Sequence, residues 1–195
     1  MTIAFCLGNG VSRAEVDLNT LSTRGKIYGC NGLYRNFTPD VLVATDRPIA
    51  TEIQESGYSG RNVFYTRRPI ERLGAKTVPK QYYGFSSGPL AIGIASIDNM
   101  QKIYLLGFDL GPNLQGKFNN IFADTQHYKR SSDHPTYTGN WIKQISTVIK
   151  DFPNIQYVRV VGETSAKIDD FTRFSNLQEM PIMHFLERIN NVKDL

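Results

Sequence analysis

The sequence predicts an α/β protein built on a single doubly wound, mostly parallel sheet. Three observations carry that expectation. Short apolar runs alternate with segments of helical period along the chain. Several runs are apolar at every position, as strands covered on both faces must be. Asparagines, aspartates and glycines gather where the runs end, which is where open α/β sheets collect ligands.

The first strand covers residues 2–7 and ends in Gly8-Asn9-Gly10, followed by Val11-Ser12 and a polar stretch with a helical look. A second strand, Lys26–Cys30, ends at Asn31-Gly32, and a third, 40–45, at Thr45-Asp46. Residues 61–66 form a fourth, 102–107 a fifth ending in Gly107-Phe108-Asp109, and 155–161 a sixth. Helices are expected over 48–56, 88–98, 138–151 and 181–190. The last places Ile182, Met183, Phe185, Leu186 and Ile189 on one face, a stripe for docking on the core. Residues 111–138 are long, polar and without period, so they read as a lid or binding loop. With no internal repeat or linker, residues 1–195 read as one Rossmann-like domain.

Composition narrows the classes further. Of 195 residues, 41% are hydrophobic and 21% charged, the balance of a folded chain rather than a disordered one. No apolar run approaches the roughly 18 residues of a membrane span. The start, Met1-Thr2-Ile3-Ala4, lacks the basic region of a secretory signal, so a cytoplasmic location is expected. Cys6 and Cys30 sit near strand ends and read as free, small hydrophobes. No Cys/His spacing suits zinc and no Asp-x-Asp triplet occurs, so no metal is expected. Net charge is +4, with Arg61, Arg67, Arg68, Arg72, Lys76 and Lys80 set against Glu71 alone in residues 61–80. That stretch is either a solvated surface or a field that attracts phosphates. No nucleic-acid signature accompanies it, so no nucleic-acid partner is expected.

The strand ends carry the candidate chemistry. Gly8, Asn9 and Gly10 form either a plain turn or a close backbone approach to a ligand, with Ser12 capping the helix beyond. Asn9 and Asn31 each offer a donor and an acceptor, suited to a sugar or a base edge. Ser86, Ser87 and Gly88 open a helix with Pro89 in its first turn. They either cap that helix or turn its free amides toward a phosphate. His127 and His134, with Tyr128 and Tyr137 nearby, are either inert surface residues or bring a general base to the long loop.

In order and spacing these motifs resemble the bacterial CMP-sialic-acid-dependent sialyltransferases of glycosyltransferase family 42. The likeness rests on Gly8-Asn9-Gly10-Val11-Ser12, Glu15-Val16-Asp17, Cys30-Asn31 with Tyr34 beyond, Ser86-Ser87-Gly88, the run Gln101 to Asp109, and His127-Tyr128 with His134. A broader group of proteins, including pterin-pyrophosphokinase-like ones, shares the first motif. The resemblance implies a metal-independent glycosyltransferase without a cofactor, moving a sugar from a CMP-sugar to a hydroxyl of a glycan or other acceptor. It implies His134 as base, with His127 and Tyr128 as further catalytic residues. The nucleotide would lie on Gly8, Asn9, Gly10, Ser12, Asn31, Ser86, Ser87, Gly88 and Asp109. Leu110-Gly111-Pro112 follows Asp109 where that family carries tyrosines. Two alternatives therefore stay open: a pterin-pyrophosphokinase-like phosphotransferase using Asp46 and Asp109, and a non-catalytic nucleotide- or sugar-binding module.

Overall fold

Eight strands pair side by side in the order β5-β4-β3-β2-β1-β6-β7-β8 in a computed structural model that describes residues 1–191. They are β1 Ile3–Leu7, β2 Lys26–Cys30, β3 Val41–Val43, β4 Phe64–Thr66, β5 Lys76–Thr77, β6 Lys102–Leu106, β7 Gln156–Val161 and β8 Leu177–Pro181. Every pairing is parallel. The helices are α1 Leu18–Ser22, α2 Arg47–Glu55, α3 Ser87–Ile97, α4 Gly139–Asp151 and α5 Ile182–Asn190.

Alternation along the central strands explains the two layers. In β1, Ala4 and Cys6 face a core shared with α3 and α4, while Phe5 and Leu7 face another shared with α1, α2 and α5. Both faces are covered, so continuous apolar runs are the stable choice. The hydrophobic helix α3 buries nine of its eleven residues, Ser87 and Pro89 to Ser96. It is the element that crosses from one side of the sheet to the other. The chain runs outward from β1 to β5, and α3 then returns it to β6, beside β1. The ends of β1 and β6 are therefore the place where strand order reverses, and a crevice forms there.

The expected strands and helices all appear, with ends shifted by up to three residues. Strand 40–45 is ordered as a ladder only over Val41–Val43, and 61–66 only over Phe64–Thr66. Two strands escape the sequence pattern. β5 has two residues, both exposed, and β8 reads Leu-Gln-Glu-Met-Pro, whose polar positions face water at the sheet edge. Edge position makes their polarity and the terminal proline tolerable. The helical look after Gly10 resolves into a 3₁₀ turn, Val11–Arg13, and α1. Asp17 caps α1 by accepting from the amides of Asn19 and Thr20 at 3.0 and 3.3 Å. Among the described residues, no helix is long and apolar enough to cross a membrane.

Residues 111–138 hold no helix or strand, as expected of a loop. They are nevertheless tied down. The Ile121 amide donates to the Asn9 carbonyl at 2.8 Å, and the Phe118 amide to the Asp133 carbonyl at 3.0 Å.

Candidate functional site

At the reversal point a cavity of about 320 Å³ opens between the ends of β1, β2 and β6, the start of α3, and the long loop. Gly8, Asn9, Gly10, Asn31, Ser86, Ser87, Gly88 and Asp109 all line it, with Asp46, Asn119 and Trp141. Topology brings these residues together, since Gly8 and Trp141 lie 133 positions apart in sequence. Ser12 is next to the cavity but outside its lining.

Asp109 is the organising group. It is 3% exposed and accepts from five donors. The Ser12 amide reaches it at 3.1 Å, Asn119 Nδ2 at 3.0 Å, Thr164 Oγ1 at 2.7 Å and Ser165 Oγ at 3.2 Å, with the Ser12 hydroxyl as the fifth. One carboxylate thus pins the loop after β1 to the loops after β6 and β7. The Val11 amide is taken by Asn119 Oδ1 at 2.9 Å, and the Gly10 amide by the Gly107 carbonyl at 2.8 Å. The amides after β1 that sequence reasoning offered to a phosphate are engaged within the protein.

The glycines of this loop answer to packing. Neither Gly8 nor Gly10 has positive φ. A Cβ on Gly8 would lie 2.5 Å from the Gly107 carbonyl oxygen, and one on Gly10 would lie 2.5 Å from the Asp109 carboxyl carbon. They let β1 and β6 close on each other at the crevice floor.

Two arginines that sequence reasoning passed over brace this floor. Arg13, 4% exposed, donates to the Gly8 carbonyl and to Asn9 Oδ1, the latter at 3.2 Å. Burial pulls its guanidinium down from the ordinary range, against the pull of Cys30, Tyr128 and Asp109. Arg159, 0% exposed, donates to the Phe108 and Asp109 carbonyls at 3.1 Å each. It also donates to the Ala166 carbonyl at 2.9 Å and pairs with Glu179 at 2.7 Å. The signal was present, for a lone arginine inside the apolar run Tyr-Val-Arg-Val-Val has to find buried acceptors.

Free groups lie on the opposite wall. Asn31 has φ +51, a left-handed conformation that asparagine tolerates. Its Oδ1 is buried with no hydrogen-bond partner among the described residues. The amides of Ser87 and Gly88 stand at the start of α3, where a helix offers no acceptor. The Ser87 hydroxyl is committed, accepting from the Thr45 amide at 3.0 Å. The Ser86 amide is committed to Gln144 Oε1 at 2.9 Å. Asp46 is exposed and makes no cap to α2.

The loop histidines lie elsewhere. His134 is exposed and does not line the cavity. His127 also lies outside it and meets Glu52 of α2, Nε2 to Oε2, at 2.9 Å. Tyr128 folds inward instead. Its hydroxyl accepts from the Gly32 amide at 2.8 Å and from Asn9 Nδ2 at 3.4 Å, anchoring the loop over β2. Burial pushes its phenol well up, with the Cys30 thiol adding to it.

Around Glu52 the loop is latched. Arg35 Nη2 meets Glu52 Oε1 at 2.9 Å, the Tyr34 hydroxyl donates to the same oxygen, and Arg35 reaches Thr125 Oγ1 and the Gln126 carbonyl at 3.2 Å. Burial tends to raise the Glu52 carboxyl, but the bonds from Tyr34 and Arg35 and the charges of Arg35 and His127 hold it below its usual value. A carboxyl lowered on folding contributes stability above its unfolded pKa and loses it as pH falls through the folded value. Amide protection of residues 124–128, measured by hydrogen exchange, is therefore expected to fade as pH drops through that acidic window. Glu52→Gln should show the reduced protection at neutral pH already. Equal protection in wild type and variant would refute the latch.

Comparison with known proteins finds no matching family model and no matching solved structure. The chain is 25% identical over 162 residues to Lysozyme-like protein 1 of Caenorhabditis elegans, an alignment covering 78% of this chain. It spans about half of that relative, 54% of its length. The likeness is to a protein named lysozyme-like, and it overturns the expected CMP-sugar transferase together with the phosphotransferase alternative. The geometry gives each correction a physical reason. His134, the expected base, faces solvent away from the cavity. Phosphotransfer would call on Asp46 and Asp109 for magnesium, and Asp109 is already filled by five protein donors.

Proposed function

We propose that the crevice between β1 and β6 binds a small ligand that carries an anionic group, a phosphate ester of about mononucleotide size. The observation that carries this is Asn31, which lines the cavity and whose buried Oδ1 has no hydrogen-bond partner among the described residues. Leaving such an acceptor empty costs about 1–3 kcal/mol, and a ligand N–H or O–H would remove that cost. In the same cavity, the Ser87 and Gly88 amides at the positive end of α3 suit the anionic group. The buried Arg13, in no ion pair among the described residues, adds positive potential. Of the residues expected to hold a nucleotide, Asn31, Ser87 and Gly88 keep groups free for it, while Gly8, Gly10, Ser12 and Asp109 shape the floor.

The lysozyme-like relative makes glycan hydrolysis the reading to test against. Glycoside hydrolysis ordinarily needs two carboxyl groups facing the bond to be broken. This cavity presents Asp46, whereas Asp109 is fully hydrogen-bonded, so ligand binding is the better supported reading.

Calorimetric titration with ribose 5-phosphate, CMP and AMP tests the proposal. Binding by at least one is expected, and Asn31→Ala should weaken it about five-fold, the worth of one hydrogen bond. The proposal fails if none of the three binds, or if the variant binds equally well.

A further inference from the structure

Beside the first cavity, past Asp46, lies a second one of about 420 Å³ over the ends of β3 and β4. Arg47, Arg67 and Arg68 line it, and none of them pairs with a carboxylate among the described residues. Asp46 shares the lining but stays outside ion-pair distance of all three. Arg67 is fixed in place, its Nε donating to the Tyr83 carbonyl at 2.8 Å and its Nη2 to the Phe85 carbonyl at 2.7 Å. Arg67 is thus a fixed part of the wall, while Arg47 and Arg68 reach the cavity from its exposed rim. Thr66 is 1% exposed and borders the same space.

We propose that this second cavity is a phosphate-binding site, with the guanidinium groups of Arg67, Arg68 and Arg47 and the Thr66 hydroxyl as its donors. Like charges gathered in a concave wall repel one another and raise the local potential for an anion. Guanidinium forks match phosphate oxygens two at a time, which a lysine cluster would not do. The polar lining and the carbonyl-held Arg67 favour a multiply charged oxyanion over an apolar guest. The basic stretch 61–80 is then more than a solvated surface, because folding turns Arg67 and Arg68 toward one cavity while Arg61, Arg72, Lys76 and Lys80 remain outside its lining. As a site for a free anion it stands independently of the ligand assigned to the first crevice; as a site for a second phosphoryl group it rests on that reading.

The phosphate could arrive free or as a second phosphoryl group on a ligand held by the first crevice. Titration of isotope-labelled protein with inorganic pyrophosphate and with adenosine 3′,5′-bisphosphate, followed by amide and arginine Nε resonances, distinguishes the two sources. Saturable shifts at Thr66, Arg67 and Arg68 with pyrophosphate identify a free anion. The same shifts with the bisphosphate alone identify a ligand's second phosphate. In either case Arg68→Gln and Arg47→Gln are each expected to weaken binding at least three-fold. Absence of localised shifts with both compounds overturns the proposal. So does unchanged affinity in both variants, each verified as folded by its resonance spectrum.

Discussion

Asp109→Ala is expected to lower the stability of the fold by about 4 kcal/mol, because it strands five donors in a buried site. For a chain of this length that corresponds to a fall of roughly 8–16 °C in melting temperature. The reasoning concerns the donors more than the carboxylate. The Ser12 amide and Asn119 Nδ2 cannot turn round to accept, whereas the Ser12, Thr164 and Ser165 hydroxyls can. Asp109→Asn should therefore cost about half as much, since its oxygen can serve the fixed donors while its amide donates to rotated hydroxyls. Thermal unfolding of the two variants checks this. If both fall within about 1 kcal/mol of wild type, Asp109 is not the group that ties the three loops together, and its position in the crevice needs another reason.

Arg159→Met is the second large effect, expected at about 3 kcal/mol. Methionine fills comparable volume, so the loss is one of hydrogen bonds rather than packing. Three carbonyls, those of Phe108, Asp109 and Ala166, lose their donor, and Glu179 loses its partner. Glu179 is 45% exposed and can turn to water, so the buried carbonyls dominate the cost. Arg159→Lys keeps the charge but offers one compact ammonium in place of a fork spanning four acceptors, and should recover less than half of the loss. Urea unfolding measures both. Because Arg159 holds the Phe108 and Asp109 carbonyls at the crevice floor, the variant should also weaken ligand binding in the crevice. A methionine variant as stable as wild type would show that water can replace the guanidinium at these carbonyls.

The central strands were legible because burial on both faces leaves an unbroken apolar signature, as in Ala4 to Leu7. Strands β5 and β8 were not, because an edge strand is held by backbone pairing with one neighbour and its side chains can be polar. Of the crevice, the residues at strand ends were readable from their type and place. The partners of Asp109 were not, since Asn119, Thr164 and Ser165 come from loops without period, and nothing local distinguishes them from surface polar residues. The histidines misled for a related reason. A His beside a Tyr in a polar loop signals chemistry by composition, but the loop's direction decides where the side chains go. Tyr128 turns inward onto Gly32, while His127 turns to Glu52.

The sequence by itself determined the doubly wound sheet, the place of its strand ends, and the residues that meet there, because periodicity and burial are written locally. Only the tertiary structure decided which polar groups remain free. Hydrogen bonding is settled between elements far apart in the chain: Asp109 and Ser12 satisfy each other, whereas Asn31 Oδ1 and the first amides of α3 are left over. The same holds for charge, since the arginines of residues 61–80 look alike in sequence and only the packing of β4 against α2 selects two of them to face a cavity.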